Sequence, residues 1–226
     1  MVYVYKINPQ KKRSIFDSLS LNTILILTNV LFFILIWIFL SSGIISESFF
    51  NNNIAISLEN IKQLRLWTFL TSMFMHGGYL HLFVNMLSLF FVGSLIEKIL
   101  GRKRYFWFYL LSGIFAGIFF VLFSLVFTSD FGAYAVGASG ALFALIGLLV
   151  LLTPNLPVYI MFIPIPIKMK YAAPGMLAVL WLISIAGSVP IGNTAHLGGL
   201  IAGLLYGLFL RKKYKNKTNH IRKHFS

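Results

Sequence analysis

The chain has 226 residues, is 58% hydrophobic and 11% charged, and has a mean hydropathy of +0.86. A water-soluble domain of this length carries far more charge, so the composition indicates an integral membrane protein and excludes a soluble one. The net charge is +14 and cysteine is absent, which removes disulfides, thiolate nucleophiles and Cys-ligated metals.

Residues 1–20 form a basic tail. From Leu21 to about Leu40 the chain is continuously apolar. That length matches the ~20 residues that cross a bilayer and exceeds the ~7–15 of a signal-peptide core, so it reads as a retained first span, the alternative being a cleaved signal ending near Ser41-Ser42-Gly43. A long loop, about residues 43–77, carries Phe49, Phe50, Ile54, Ile56, Leu64, Trp67 and Phe69. A loop so apolar lies partly in the membrane interface. Apolar stretches then recur at roughly 78–96, 105–127, 133–152, 171–188 and 195–210, each bounded by charge, proline or a Gly/Asn/Ser cluster. Lipid offers no water to an open backbone, so each stretch is read as a helix. The expected fold is an all-α integral membrane protein, a six-helix bundle over residues 21–210, with basic tails at 1–20 and 211–226. Gly199, Gly203 and Gly207, four residues apart, let helix backbones approach closely.

The charges orient the bundle. Lys6, Lys11, Lys12 and Arg13 precede the first span; Lys98, Arg102, Lys103 and Arg104 fill the second loop, and Lys168 and Lys170 the fourth. With Arg211, Lys212, Lys213, Lys215, Lys217, Arg222 and Lys223 in the tail, these are all but two of the 19 Lys and Arg. The exceptions, Lys62 and Arg65, fall in the first loop. The positive-inside rule then puts both termini in the cytoplasm of a cell that carries the protein in its plasma membrane. Topology accounts for the basicity, and no nucleic-acid partner is expected.

On this topology the second, fourth and sixth spans run inward in parallel, and their outer ends carry the polar residues. These are His76, His81 and Asn85; Ser139; and His196. A lone serine in a membrane helix ordinarily bonds back to its own backbone, and a lone histidine or asparagine ordinarily packs or joins helices. Grouped at one depth on three helices, they point to a site. If the fourth helix starts at Ser139 and ends at Leu152, it is ~21 Å long at ~1.5 Å per residue, against a ~30 Å hydrocarbon core. Ser139 then lies below the membrane surface, and the irregular GAYAVGA stretch above it needs a water-filled cavity or protein cover.

The chemistry that fits is nucleophilic hydrolysis. Ser139 is a weak nucleophile without a base, and His196 supplies one, with Gly140 and Gly199 leaving room for their helices to approach. Asp17, Glu47, Glu59, Glu97 and Asp130 lie in tails, loops or the wrong end of a span, so a dyad is expected rather than a triad. His81 and Asn85 share a helix face. With the Ser139 N–H at a helix N-terminus, they would form an oxyanion hole.

Four motifs carry a resemblance: HGGYLHLFVN, GSLIEKILG, GASG and AHLGGLIAG, in that order between about Trp67 and Gly207. Together they resemble the rhomboid family of intramembrane serine proteases. The resemblance implies a six-helix fold, Ser139 as nucleophile, His196 as general base and oxyanion donors at His81 and Asn85. It also implies transmembrane proteins as substrates, no cofactor and no metal, with Glu97 in a structural role. His76, Gly137, Gly140 and Gly199 would support the site. Two positions depart from the family pattern. Trp67 is followed by Thr68, with Arg65 displaced, where many members have Trp-Arg; Phe143 stands where many have a tyrosine beneath the histidine.

Two rival readings carry their own expectations. A transporter or channel would use His76, His81 and His196 for protons or a metal, although HGGYLH lacks the glutamate base of HExxH metalloproteases. A catalytically idle relative would bind membrane helices without cutting them.

Overall fold

A computed structural model of the chain describes residues 19–126, 133–160, 164–187 and 191–225. Helix α1, Leu21–Ser41, is the first span. Its buried residues, Asn22, Leu25, Asn29, Phe33 and Ile36, recur every three or four positions and form one inward stripe. Leu27, Leu31 and Trp37 face outward. The outer stripe is apolar, as lipid requires, and the inner one is apolar except for Asn22 and Asn29, which mark it better than hydropathy does.

The first loop is folded. It holds α2 (Glu47–Asn53), α3 (Leu58–Lys62), α4 (Thr68–Thr71) and a 3₁₀ turn at Ser72–Phe74. Asn60, fully buried, ties it together. Its amide donates to the carbonyls of Asn51 (2.7 Å) and Ala55 (2.8 Å), and its Oδ1 accepts from Arg65 at 3.0 Å. The Trp67 indole donates to the Asn53 carbonyl at 3.1 Å. Trp67 and Arg65 thus both anchor the loop without being adjacent.

The second span comprises α5 (Tyr79–Ser88), a π turn (Leu89–Gly93) and α6 (Ser94–Leu100). The Leu89 carbonyl, at the start of the π turn, accepts from Asn22 Nδ2 at 2.8 Å. Asn22 Oδ1 in turn accepts from the Tyr105 hydroxyl at 2.6 Å. Nearby, the Glu97 carboxylate receives the Leu21 and Asn22 N–H groups at 2.9 and 2.8 Å, capping α1. A polar cluster therefore fastens the first three spans at the end remote from Ser139.

The remaining helices are α7 (Arg102–Phe123), α8 (Ser139–Leu152), α9 (Met169–Gly187), α10 (Asn193–Lys213) and α11 (Lys215–His224). A two-residue antiparallel pair, β1 (Pro157–Val158) and β2 (Ile167–Lys168), precedes α9, with Pro157 opposite Lys168. Among the described residues, five helical spans are long and apolar enough to cross a membrane, and α8 is a shorter apolar helix. The protein is an all-α multi-pass membrane bundle, as the composition implies. Helix α8, apolar on every side, is buried almost throughout, from Gly140 to Leu152. The C-terminal segment, which hydropathy leaves as a polar tail, forms α11 and buries Thr218.

Candidate active site

Helices α8 and α10 approach until backbone meets backbone. A Cβ at Gly199 would overlap the Gly140 carbonyl, and one at Gly203 the Ala144 carbonyl. On the facing side, a Cβ at Gly147 would come within 2.5 Å of the Leu200 carbonyl. Glycine at these positions removes the side-chain spacer, and the four-residue interval keeps the gaps on one face. Gly140 itself lies over Ala116 of α7.

This contact carries Ser139, the first residue of α8, to His196, in the first turn of α10. His196 Nε2 lies 2.7 Å from Ser139 Oγ. The His196 ring is buried and stacks on Phe143, one turn along α8, with centroids 4.6 Å apart and planes at 19°. Phenylalanine thus provides the ring face that orients the imidazole. His196 Nδ1 is buried and has no hydrogen-bond partner, carboxylate or other, among the described residues.

His81 approaches from α5. Its Nδ1 accepts the Gly77 N–H at 3.3 Å. With Nδ1 accepting, a neutral ring carries its proton on Nε2. That nitrogen faces Gly137, where a Cβ would lie 3.0 Å from His81 Nε2 and 3.4 Å from Ser139 Oγ. Gly137 also has φ +136°, a region that side chains rarely adopt, so glycine keeps this space clear on both counts. Ser139 opens α8, and the first N–H groups of a helix have no intrahelical acceptor. Asn85 is buried, and its amide nitrogen donates to the His81 carbonyl at 2.8 Å, leaving one N–H uncommitted. His76 packs edge-on to His81, centroids 5.1 Å apart. It precedes α5, and burial holds its imidazole below the usual histidine range, with His81 adding to the effect.

The backbone above Ser139 is irregular, and protein covers it. Ala135 pairs with Ile56 of the first loop in a two-way bridge, at 3.0 and 2.9 Å. The Gly137 N–H donates to the Ser72 carbonyl at 2.8 Å. Gly132, the first residue of the GAYAVGA stretch, lies outside the described residues. Among the described residues no group of three metal-ligating side chains clusters.

The family model for the Rhomboid domain matches residues 63–213. This chain belongs to the rhomboid family. It is 35% identical over 166 residues to RHOMBOID-like protein 1 of Arabidopsis thaliana, covering 70% of this rhomboid and 39% of that protein. With Rhomboid protease GlpG of Photorhabdus laumondii it shares 31% identity over 165 residues, 70% of this rhomboid and 53% of the relative. RHOMBOID-like protein 12, mitochondrial, of Arabidopsis thaliana is 30% identical over 194 residues, 77% and 55% of the two chains. This rhomboid thus spans about half the length of the curated relatives it matches.

Ser139, His196, His81, Gly137, Gly140, Phe143 and Gly199 meet at one end of the bundle, and His76 and Asn85 each contact His81. Sequence reading did not identify three backbone groups: the Gly77 N–H that sets the His81 tautomer, the Ser72 carbonyl that holds Gly137, and Ile56 at Ala135. Main-chain partners carry no residue signature.

Proposed function

We propose that this rhomboid is an intramembrane serine endopeptidase that cuts transmembrane proteins with a Ser139–His196 dyad. The 2.7 Å approach of His196 Nε2 to Ser139 Oγ carries this reading. In the proposed reaction, Ser139 Oγ attacks the scissile carbonyl carbon while its proton passes to His196 Nε2. The resulting oxyanion accepts hydrogen bonds from the Ser139 N–H and His81 Nε2–H, with the free Asn85 N–H as a third donor. The C–N bond then breaks, and the imidazolium returns its proton to the leaving amine. Water, deprotonated by the same nitrogen, hydrolyses the acyl-enzyme. Covalent labelling by a fluorophosphonate, lost in Ser139→Ala, tests the assignment directly. Labelling of a folded Ser139→Ala protein at the wild-type level rejects it.

Imidazolium cannot accept the serine proton, so turnover falls as His196 protonates. The initial rate, measured from about pH 8 down to about pH 4, should decline on the acid side. A rate climbing steadily to the acid end would require a carboxylate mechanism.

The proposed topology places both termini in the cytoplasm of a plasma-membrane protein, with the site opening outward. Tags at residues 1 and 226 should resist protease in sealed right-side-out vesicles. Digestion of either tag reverses the orientation. The proteolytic unit is assigned to residues 21–210, with 1–20 and 211–226 as anchors at the basic face. Truncation after Tyr214 should leave peptide turnover in detergent at the full-length rate, because α11 starts at the far end of α10 from His196. A folded truncation that has lost activity would show that α11 supports the site.

A further inference from the structure

At the end of the bundle away from Ser139, a groove of about 580 Å³ opens between α7 and α10 on the lipid-facing side. Lys103 and Arg104 line one end, and Trp107, Leu111, Phe115 and Leu205 extend from it. The small side chains of Ser112 and Ala202 line it, as does Phe108, which stacks on Tyr206 with centroids 4.6 Å apart. No acidic residue lines it.

The charge at its mouth is unbalanced by local standards. Helix α7 begins with Arg102, Lys103 and Arg104, and its first turn contains no acidic residue. A helix N-terminus is already electropositive, so carboxylates are favoured there and cations are opposed. Arg102 is engaged by the Leu19 carbonyl at 2.9 Å. Arg104 is held over the Tyr214 ring, 5.3 Å from its centroid, and donates to the Tyr214 hydroxyl at 3.3 Å. These contacts orient Arg104 without neutralising it. Lys213, 5.8 Å from the same ring, adds a further cation. An anion at this point would relieve the repulsion.

The groove's reach selects among apolar occupants. From Arg104 to Phe115 it follows α7 for about eleven residues, or ~16 Å at ~1.5 Å per residue. Half of a ~30 Å hydrocarbon core is ~15 Å, the depth of one leaflet. A transmembrane helix needs the full thickness, whereas an acyl chain hung from a headgroup at the interface needs half. Basic recesses between helices at a membrane face suit anionic headgroups. We propose that the α7–α10 groove binds one anionic glycerophospholipid, its phosphate at Lys103 and Arg104 and an acyl chain along Trp107, Leu111 and Phe115. The site is separate from the dyad and does not depend on the protease reading.

The test uses the full chain in nanodiscs of phosphatidylcholine doped with a diazirine-tailed phosphatidylglycerol. Irradiation and peptide mapping should place adducts on the segments around 107–115 and 202–206. Adducts spread evenly over the lipid-facing helices, or an identical pattern from diazirine-tailed phosphatidylcholine, would overturn the proposal. Native mass spectrometry supplies a second readout. Lys103→Gln with Arg104→Gln should weaken retention of phosphatidylglycerol about thirtyfold, taking each interfacial cation at its usual worth. Lys215→Gln with Lys217→Gln, the same charge change on α11, should leave retention unchanged. Equal loss from both pairs would mean diffuse attraction to net charge and no site. Because the photolabelling uses the wild-type chain, the proposal stays open to refutation even where a variant fails to fold.

Discussion

Ser139→Ala and His196→Ala should each abolish peptide cleavage, and the double variant should be no slower than either. The proposed step needs the hydroxyl and the imidazole at once, since Ser139 Oγ attacks the carbonyl as its proton crosses the 2.7 Å contact to His196. Removing either group removes the whole step, so the two losses do not add. For dyads and triads of this kind the loss is on the order of 10⁶-fold. The oxyanion donors differ in rank. His81→Ala removes one donor of three, which typically costs ~10²–10³ in rate. Asn85→Ala should fall at the lower end, because that amide is partly committed to the His81 carbonyl. Initial rates on a fluorogenic transmembrane peptide, with folding checked by thermal melting, separate these classes. A folded Ser139→Ala protein that cleaves at the wild-type rate sinks the protease reading and leaves the family membership intact.

Gly199→Ala should cost both stability and rate, although alanine is the better helix former. In open space a helical Gly→Ala change gains roughly 0.5–1 kcal/mol. At Gly199 the new methyl would overlap the Gly140 carbonyl and come within 3.3 Å of the Ala144 nitrogen. Those are main-chain atoms of α8, which cannot swing aside as a side-chain tip does. The helices must separate instead, and overpacking of this kind costs about 1–3 kcal/mol. The same separation moves His196 away from Ser139, and a ~1 Å misplacement of reacting groups can cost ~10²-fold. Gly175→Ala in α9, where an added Cβ meets nothing within 4 Å, is the matched control and should be neutral or stabilising. Thermal melting and turnover of the two variants give the comparison. A Gly199→Ala protein as stable and active as Gly175→Ala would show that the α8–α10 contact does not set the dyad distance.

Much of this molecule is legible before folding. Hydropathy marks the six spans because lipid forces every span to be apolar and self-bonded, a constraint with few exceptions. The histidines and Ser139 stand out because polar groups are rare in such spans, and the interval Ser139–Leu152 already has the length of the short helix observed. Features that depend on polar contacts between segments distant in sequence were harder to see. The π turn at Leu89–Gly93 is stabilised by Asn22, which is remote in the chain. Likewise, the displaced Arg65 looks like a departure in sequence, yet through Asn60 it anchors the same loop as Trp67.

The sequence by itself determined that the chain crosses a membrane repeatedly, roughly where its six spans lie, and which side chains are candidates for hydrolytic chemistry. Each of these follows from local composition, since solvent and lipid act on every segment separately. Only the tertiary structure decided that Ser139 and His196 meet, that His81 presents Nε2 rather than Nδ1, and that the loop above Ser139 is covered. Those outcomes rest on main-chain contacts between segments up to about 80 residues apart: glycine gaps in α8 and α10, the Gly77 N–H, and the pairing of Ile56 with Ala135. A hydrogen bond or a close approach between two backbones leaves no mark on the residues that make it, apart from the absence of a side chain in the way.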